Sequence, residues 1–360
     1  MDNGLWITIT SGVTVKTKQL LSILLLVFVA AACAAQPDEP RQLTVMTHDS
    51  FEVSEAVVTS FEAVNNVEVI FLKSGDAGSM VNKAVLSGDA PLADVLYGVD
   101  NTFLSRALEG DIFEPYAAPL LADIPHEFEL DSQNRALPVD FGDVCLNYDK
   151  AYFADNDLAP PSSLEDLTKP EYAGLLAVQN PATSSPGLAF LLATVGHFGE
   201  EAYLDYWQAL VENDVKVAGD WETTYYTEFS RWGGERPIIV SYGSSPPVEL
   251  IFAEDPLDEP PTQAVVADGT CFRQIEFVGI LKGTANRDLA EAWIDFMLSP
   301  AFQEDMPLQM FVFPVNPNAE LQQEFVDYLS VPDSPVFVDP EDIATNRETW
   351  IADWTETVLR

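Results

Sequence analysis

Residues 67–85 read VEVIFLKSGDAGSMVNKAV, and this stretch decides the fold class. Val67 to Lys73 is a β-prone run, Ser74-Gly75-Asp76-Ala77-Gly78-Ser79 is a loop, and Met80, Val81, Ala84 and Val85 recur at helical spacing. A strand that ends in a Gly/Ser/Asp loop and opens a helix is the repeating half of an α/β sheet. The unit recurs on both sides. Gln42 to Ser50, QLTVMTHDS, alternates Leu43, Val45 and Thr47 and ends in Asp49-Ser50, while Ala93 to Gly98, ADVLYG, is closed by Asp100-Asn101 before FLSRALEGD. This alternation predicts a parallel sheet, and open α/β sheets take ligands at the loop edge. Asp49, Asp76 and Asp100 each stand at an expected helix start, where an aspartate is either a plain N-cap or a ligand contact.

Moving outward, the pattern changes at Pro138 to PVDFGDVCLNYDKAYF, which holds Cys145, and a second β-prone segment, GTCFRQIEFVGILKG, holds Cys271. Everything between them alternates strands and helices by itself, so the two segments read as strands joining two lobes. A chain of 360 residues exceeds what one core usually serves and suits two lobes of roughly 150 residues. In an exported chain Cys145 and Cys271 are either a disulfide across the crossovers or two buried thiols. The expected division is 1–32 an export signal, 33–41 a lipid-anchored linker, 42–140 the first part of lobe 1, 141–272 lobe 2 with a hinge strand at each end, and 273–360 the return to lobe 1 with the C-terminal helices.

Inside the second lobe, the strand Leu175 to Gln179 leads through Asn180-Pro181-Ala182-Thr183-Ser184-Ser185-Pro186-Gly187 into the apolar helix LAFLLATVG. Proline suits a first helical turn, so Ser184 or Ser185 is the expected cap. The stretch from Gly219 to Pro247, GDWETTYYTEFSRWGGERPIIVSYGSSPP, clusters Trp221, Tyr225 and Tyr226 before a short strand that ends in Tyr242-Gly243-Ser244-Ser245-Pro246. Flat rings beside a strand-to-helix loop suit a planar or cationic ligand, because a π-face attracts positive charge and the loop offers N–H groups. The plainer alternatives are a core strand with an ordinary turn and, for Trp221, packing between lobes. Leu289, Trp293, Phe296 and Met297 share a face in one later helix, and Ile343, Trp350, Trp354 and Val358 in another; both stripes read as core.

At the N-terminus, Lys16 and Lys18 precede the apolar run Leu20 to Ala32, too short to span a bilayer and ending in small residues before Cys33. This predicts an export signal with lipidation at Cys33, followed by the polar tether AAQPDEPRQ. Fifty-eight acidic against 17 basic residues give a formal charge of −41, which argues against nucleic acid or an anionic membrane surface as partner. His48, His126 and His197 are scattered, and neither HExxH nor GxSxG occurs, so an enzyme finds no support.

These motifs carry a resemblance. THDSF from Thr47, GVDNTFL from Gly98, VDFGDVCLNYDK from Val139, NPATSSPGL from Asn180, the Trp221 segment, VSYGSSP from Val240, MLSPAFQ from Met297 and RETWIADW from Arg347 are collinear with type 2 solute-binding proteins of ABC importers. Among these, the chain resembles the thiamine-binding branch. The resemblance implies a two-lobed periplasmic-binding-protein-like α/β fold of type 2, with a ligand cleft between lobes joined by two crossover strands. It implies thiamine or a phosphate ester as transported ligand, no cofactor, no metal, a membrane permease as partner, a monomer, and an extracytoplasmic location. It carries ligand-binding roles onto Asp76, Ala77, Ser184, Ser185, Trp221, Tyr242, Gly243, Ser244, Ser245 and Pro246. Asp49, Asp100, Tyr225 and Phe311 are secondary candidates, and His48 and Phe311 stand where the family can have Tyr and Trp. The runner-up is a ferric-ion binder of the same fold that uses Tyr225 and Tyr226, since phenolates suit Fe(III).

Overall fold

The computed structural model describes residues 6–8, 14–16, 40–329 and 331–360. The strands β1 (Trp6–Thr8) and β2 (Thr14–Lys16) pair antiparallel with each other. The apolar run before Cys33, Cys33 itself and most of the expected linker lie outside the described residues. Residues from Gln42 to Arg360 pack as one unit.

That unit is built on a single mixed sheet. Its strands are β3 (Arg41–Thr47), β4 (Val67–Lys73), β5 (Val95–Asp100), β6 (Phe113–Glu114), β7 (Leu137–Asp149), β8 (Leu176–Gln179), β9 (Lys216–Ala218), β10 (Ile238–Tyr242), β11 (Thr262–Val265), β12 (Phe272–Leu281) and β13 (Phe313–Pro314). The order across the sheet is β4-β3-β5-β12-β7-β10-β8-β9, with β6 beside β12 and both β11 and β13 beside β7. The expected parallel pairing holds for β3 with β5 at one end and for β10, β8 and β9 at the other. In the middle it fails: β5, β12, β7 and β10 are joined antiparallel. The crossover strands are therefore part of the sheet, and the alternation of strands with helices had no way to signal that reversal.

β7 and β12, of 13 and 10 residues, are the longest strands and form its spine. Cys145 on β7 and Cys271 just before β12 are joined by a disulfide, with their Cα atoms 4.4 Å apart. They sit beside the register pair Phe272 and Val144.

Apolar helices cover the sheet. The Ser185–Phe198 helix is buried along its whole length from Ser185 to Val195, consistent with a sequence that is apolar on every face. Each of its leucines stabilises the fold by about 1.5–3 kcal/mol on burial. The Arg287–Met297 helix buries Leu289, Trp293 and Met297, as its stripe predicts.

The closing helix, Pro340–Val358, does more than return to the first lobe. Its Trp354 packs edge-on against Trp207, ring centres 5.4 Å apart. Its Arg347, 3% exposed, donates to the Thr102 carbonyl and to Ser105 Oγ. The helix is thus fastened to elements that lie before and between the crossover strands, where the sequence placed it with the first lobe alone.

Candidate ligand-binding site

Loops from both ends of the sheet enclose a cavity of about 180 Å³. One wall comes from the loops after β3 and β4, which supply His48, Ser50, Glu52, Asp76 and Ala77. The opposite wall is the start of the Ser185–Phe198 helix, the Trp221-to-Tyr226 segment and Tyr242 at the end of β10, while Phe311 and its neighbours close a third side.

Trp221 is the centre of the aromatic wall. It stacks on Tyr225 at 4.8 Å and 22°, and Tyr226 and Phe311 meet it edge-on at 5.8 and 6.0 Å. Its Nε1 donates to Ser241 Oγ at 3.1 Å, which fixes the indole plane, and its backbone N–H donates to Asp76 Oδ2 at 3.3 Å. Asp76 also accepts from Ala77 N at 2.8 Å as N-cap of the Ala77–Ser87 helix. One carboxylate thereby joins elements that belong to opposite walls.

The floor is a row of acids. Glu276 on β12 has Asp100 on β5 as its register partner on one side and Asp140 on β7 on the other. All three are buried. Tyr97 Oη lies 2.6 Å from Asp140 Oδ2 and 2.9 Å from Glu276 Oε2, and a single hydroxyl proton serves only one of them. Burial, and then repulsion from Glu276, pushes the Asp140 carboxyl well above the usual range. Burial raises Asp100 to about 6. Glu276 goes the other way: its burial is outweighed by the His48 imidazole, 3.5 Å away, and its carboxyl stays low.

Of the residues singled out from sequence, Asp76, Ala77, Ser185, Trp221, Tyr242 and Phe311 line the cavity together. Ser185 Oγ is buried there near the Asp100 carboxylate, and Ser184 Oγ, one residue behind the wall, near that of Asp76; Ser184 takes the N-cap position but its hydroxyl makes no cap bond. The loop after β10 does not line the cavity. Gly243 N donates to the Asp143 carbonyl, Ser244 Oγ to the Phe311 carbonyl, Ser245 Oγ lies 3.0 Å from Ser241 Oγ, and Pro246 is buried in the first turn of the Ser245–Ile251 helix. These residues hold Trp221 and Phe311 from behind.

The secondary candidates divide in the same way. Asp49 ties two loops together by accepting from Gly75 N, and the helix expected directly after it starts at Glu55. Asp100 accepts from the Thr102 N–H and hydroxyl under the floor. Tyr225 lies behind Trp221 and gives its hydroxyl to Glu249 Oε1 at 2.5 Å. Three cavity carboxylates went unremarked in the sequence, Glu52, Glu222 and Glu276, and so did the uncharged Gln309 and Met310. Glu276 had left a signal, a lone acid in the apolar strand FRQIEFVGIL at a position that the strand period turns inward.

Residues 90–345 match the family described as bacterial extracellular solute-binding proteins. The chain belongs to this family. Within it, the thiamine-binding periplasmic protein of Salmonella typhimurium is 30% identical over 348 residues, covering 95% of this chain and 99% of its own. A solved periplasmic thiamin binding protein superposes with a TM-score of 0.79 at 26% identity, covering 90% of this chain and 98% of its own. The ferric binding protein from Campylobacter jejuni superposes at 0.70 with 18% identity, over 88% of this chain and 99% of that one, and so shares the fold. The fold of this solute-binding protein is of type 2, with the curled mixed sheet of such proteins.

Proposed function

We propose that this protein captures thiamine, or one of its phosphate esters, outside the cytoplasm and delivers it to the permease of an ABC importer without doing chemistry on it. One observation carries the reading: Trp221, Tyr226, Tyr242 and Phe311 share a single cavity with Glu52, Asp76, Glu222 and Glu276, and among the described residues neither Lys nor Arg lines it. Thiamine combines a flat aminopyrimidine, a permanently cationic thiazolium and a hydroxyethyl tail. Rings with a negative face and fixed carboxylates suit the first two. The Ser185 hydroxyl, buried at a helix start and lining the cavity, suits the tail or its phosphate. The relatives named as thiamine-binding support the assignment.

The ferric alternative loses one of its two phenols. Tyr225 is 1% exposed and bonded to Glu249, and burial raises its hydroxyl well above the ordinary pKa, away from the phenolate that Fe(III) needs. Tyr226 alone reaches the cavity. In the proposed cycle the monomer is tethered by a lipid on Cys33, the lobes close on the ligand, and tethering near the permease raises its local concentration. Titration calorimetry with thiamine tests the ligand, with saturable one-to-one binding expected. Absence of binding heat, together with Fe(III) uptake lost in Tyr226→Phe, would transfer the assignment to iron. Fatty-acid labelling of wild type but not of Cys33→Ser tests the anchor.

A further inference from the structure

His48 is the one basic side chain among the described residues that line the cavity, and its charged partner there is Glu276. It is 6% exposed, and its Nε2 makes no hydrogen bond among the described residues although Glu276 Oε1 lies 3.5 Å away. Space for the ring is made by Gly98, whose φ of +94° suits glycine and where a Cβ would fall 2.3 Å from His48 Cδ2. Acids face the imidazole from every side: Glu276 on β12, Asp100 on β5 and Asp76 at the helix start, with the Tyr97 ring 6.0 Å away and Asp140 beyond it.

We infer that His48 is a specificity-determining residue that holds the cavity's positive charge when the site is empty, and that a cationic ligand takes over this charge and expels its proton to solvent. The inference rests on the proposed cationic ligand. An imidazolium beside Glu276 and a ligand cation in the same small cavity repel each other, while either alone is balanced by the acids of the floor. The electrostatics of the empty site agree. Burial alone would depress the imidazole, but Glu276 overrides it, with Asp76 and Asp100 adding, so the pKa lies above the ordinary 6.5. The empty site thus keeps its proton to a higher pH than an ordinary imidazole does, and proton release is linked to binding. The affinity for a cation consequently rises with pH, by about tenfold for each unit by which the ligand lowers the His48 pKa.

The protein has three histidines, and His126 and His197 both reach solvent, so the ring resonances can be followed separately by NMR. Titration from about pH 5.5 to 8.5 would be run on the ligand-free protein and on protein saturated with thiamine. His126→Gln and His197→Gln assign the spectrum by elimination even if His48→Gln does not fold. The expected result is a His48 midpoint above 6.5 without ligand that falls by about one unit or more with thiamine, and calorimetric affinity that rises about tenfold over the same range. A His48 midpoint equal in both states, with thiamine bound, overturns this inference alone. Absence of thiamine binding at every pH overturns the ligand assignment and this inference with it.

Discussion

Asp76 accepts the backbone N–H of Trp221 at 3.3 Å while capping the Ala77–Ser87 helix from the facing wall. Charge and cap are thus combined in one side chain, and substitution tells them apart. Asp76→Asn keeps one oxygen for the cap, since Asn and Asp serve almost equally there, but removes the charge and places an NH₂ where Oδ2 accepts the long bond from Trp221 N–H. Thiamine affinity should fall by about tenfold, or 1.4 kcal/mol, with little change in melting temperature. Asp76→Ala should lower both, the cap alone contributing about 1 kcal/mol. Calorimetry and thermal melts on the two variants make the comparison; equal thiamine affinity in wild type and Asp76→Asn rejects the electrostatic role.

Trp221 should be the most sensitive single position. Its indole is locked by Ser241 and backed by Tyr225, so a ring stacked on it loses little entropy to disorder in the wall. A desolvated cation over an indole contributes roughly 2 kcal/mol, and Trp221→Ala should cost about 30-fold in affinity. Trp221→Phe should recover part of it. Thiamine titration followed by tryptophan fluorescence gives the first comparison, and a loss no larger than in Tyr226→Ala would move the main contact elsewhere.

Local patterns in the chain were enough to read the strands, the helix stripes and the crossover positions. The β-prone run at Val67–Lys73 and the apolar helix after Pro186 are visible to any nearest-neighbour argument. What escaped was set by register between distant segments. Asp100, Asp140 and Glu276 are far apart in the chain and meet only because β5, β12 and β7 pair with a particular offset. The same limit explains Ser244 and Ser245: the family resemblance gave them a ligand role, but the partners that satisfy them, the Phe311 carbonyl and Ser241, depend on how the loops pack. Tyr225 and Tyr226 show it at closest range, adjacent in sequence yet pointing one hydroxyl at Glu249 and one ring at the cavity.

The Cys145–Cys271 bond closes a loop with a sequence separation of 126 residues and clamps the strands on which any lobe motion turns. Both sulfurs are in fully buried residues, so replacement by Ala tests the bond with little change of surface. Cys145→Ala with Cys271→Ala should lose about 2–4 kcal/mol, read as a lower midpoint of urea unfolding. Reductant should lower the wild-type midpoint and leave the double variant unmoved. A wild-type midpoint indifferent to reductant would mean that the bond does not form in solution.

The acid row predicts how stability depends on pH in the ligand-free protein. A carboxyl whose pKa is higher folded than unfolded stabilises the fold fully below its unfolded value, and that contribution is lost as pH rises through the folded one. Asp100, at about 6 against an ordinary 3.8, therefore withdraws up to about 3 kcal/mol between roughly pH 4 and pH 7, and Asp140 adds in the same direction. His48, raised above 6.5, also stabilises below that value and less as pH rises past its folded pKa. Glu276 opposes them: its lowered pKa makes its contribution present above the ordinary 4.5 and lost as pH falls through its folded value. The melting temperature should accordingly be highest near pH 4.5, where Glu276 already contributes and Asp100 has begun to withdraw, and decline by several degrees toward pH 8. Asp100→Asn isolates one term. The amide oxygen can still accept from the Thr102 N–H and hydroxyl, and its NH₂ replaces Oδ2, which has no partner among the described residues. Scanning calorimetry across this range should show a flatter profile for the variant, with a higher melting temperature than wild type at pH 8. A wild-type profile that rises from pH 6 to pH 8 would mean that these acids are solvated or paired in a way that the row of Asp100, Glu276 and Asp140 does not permit.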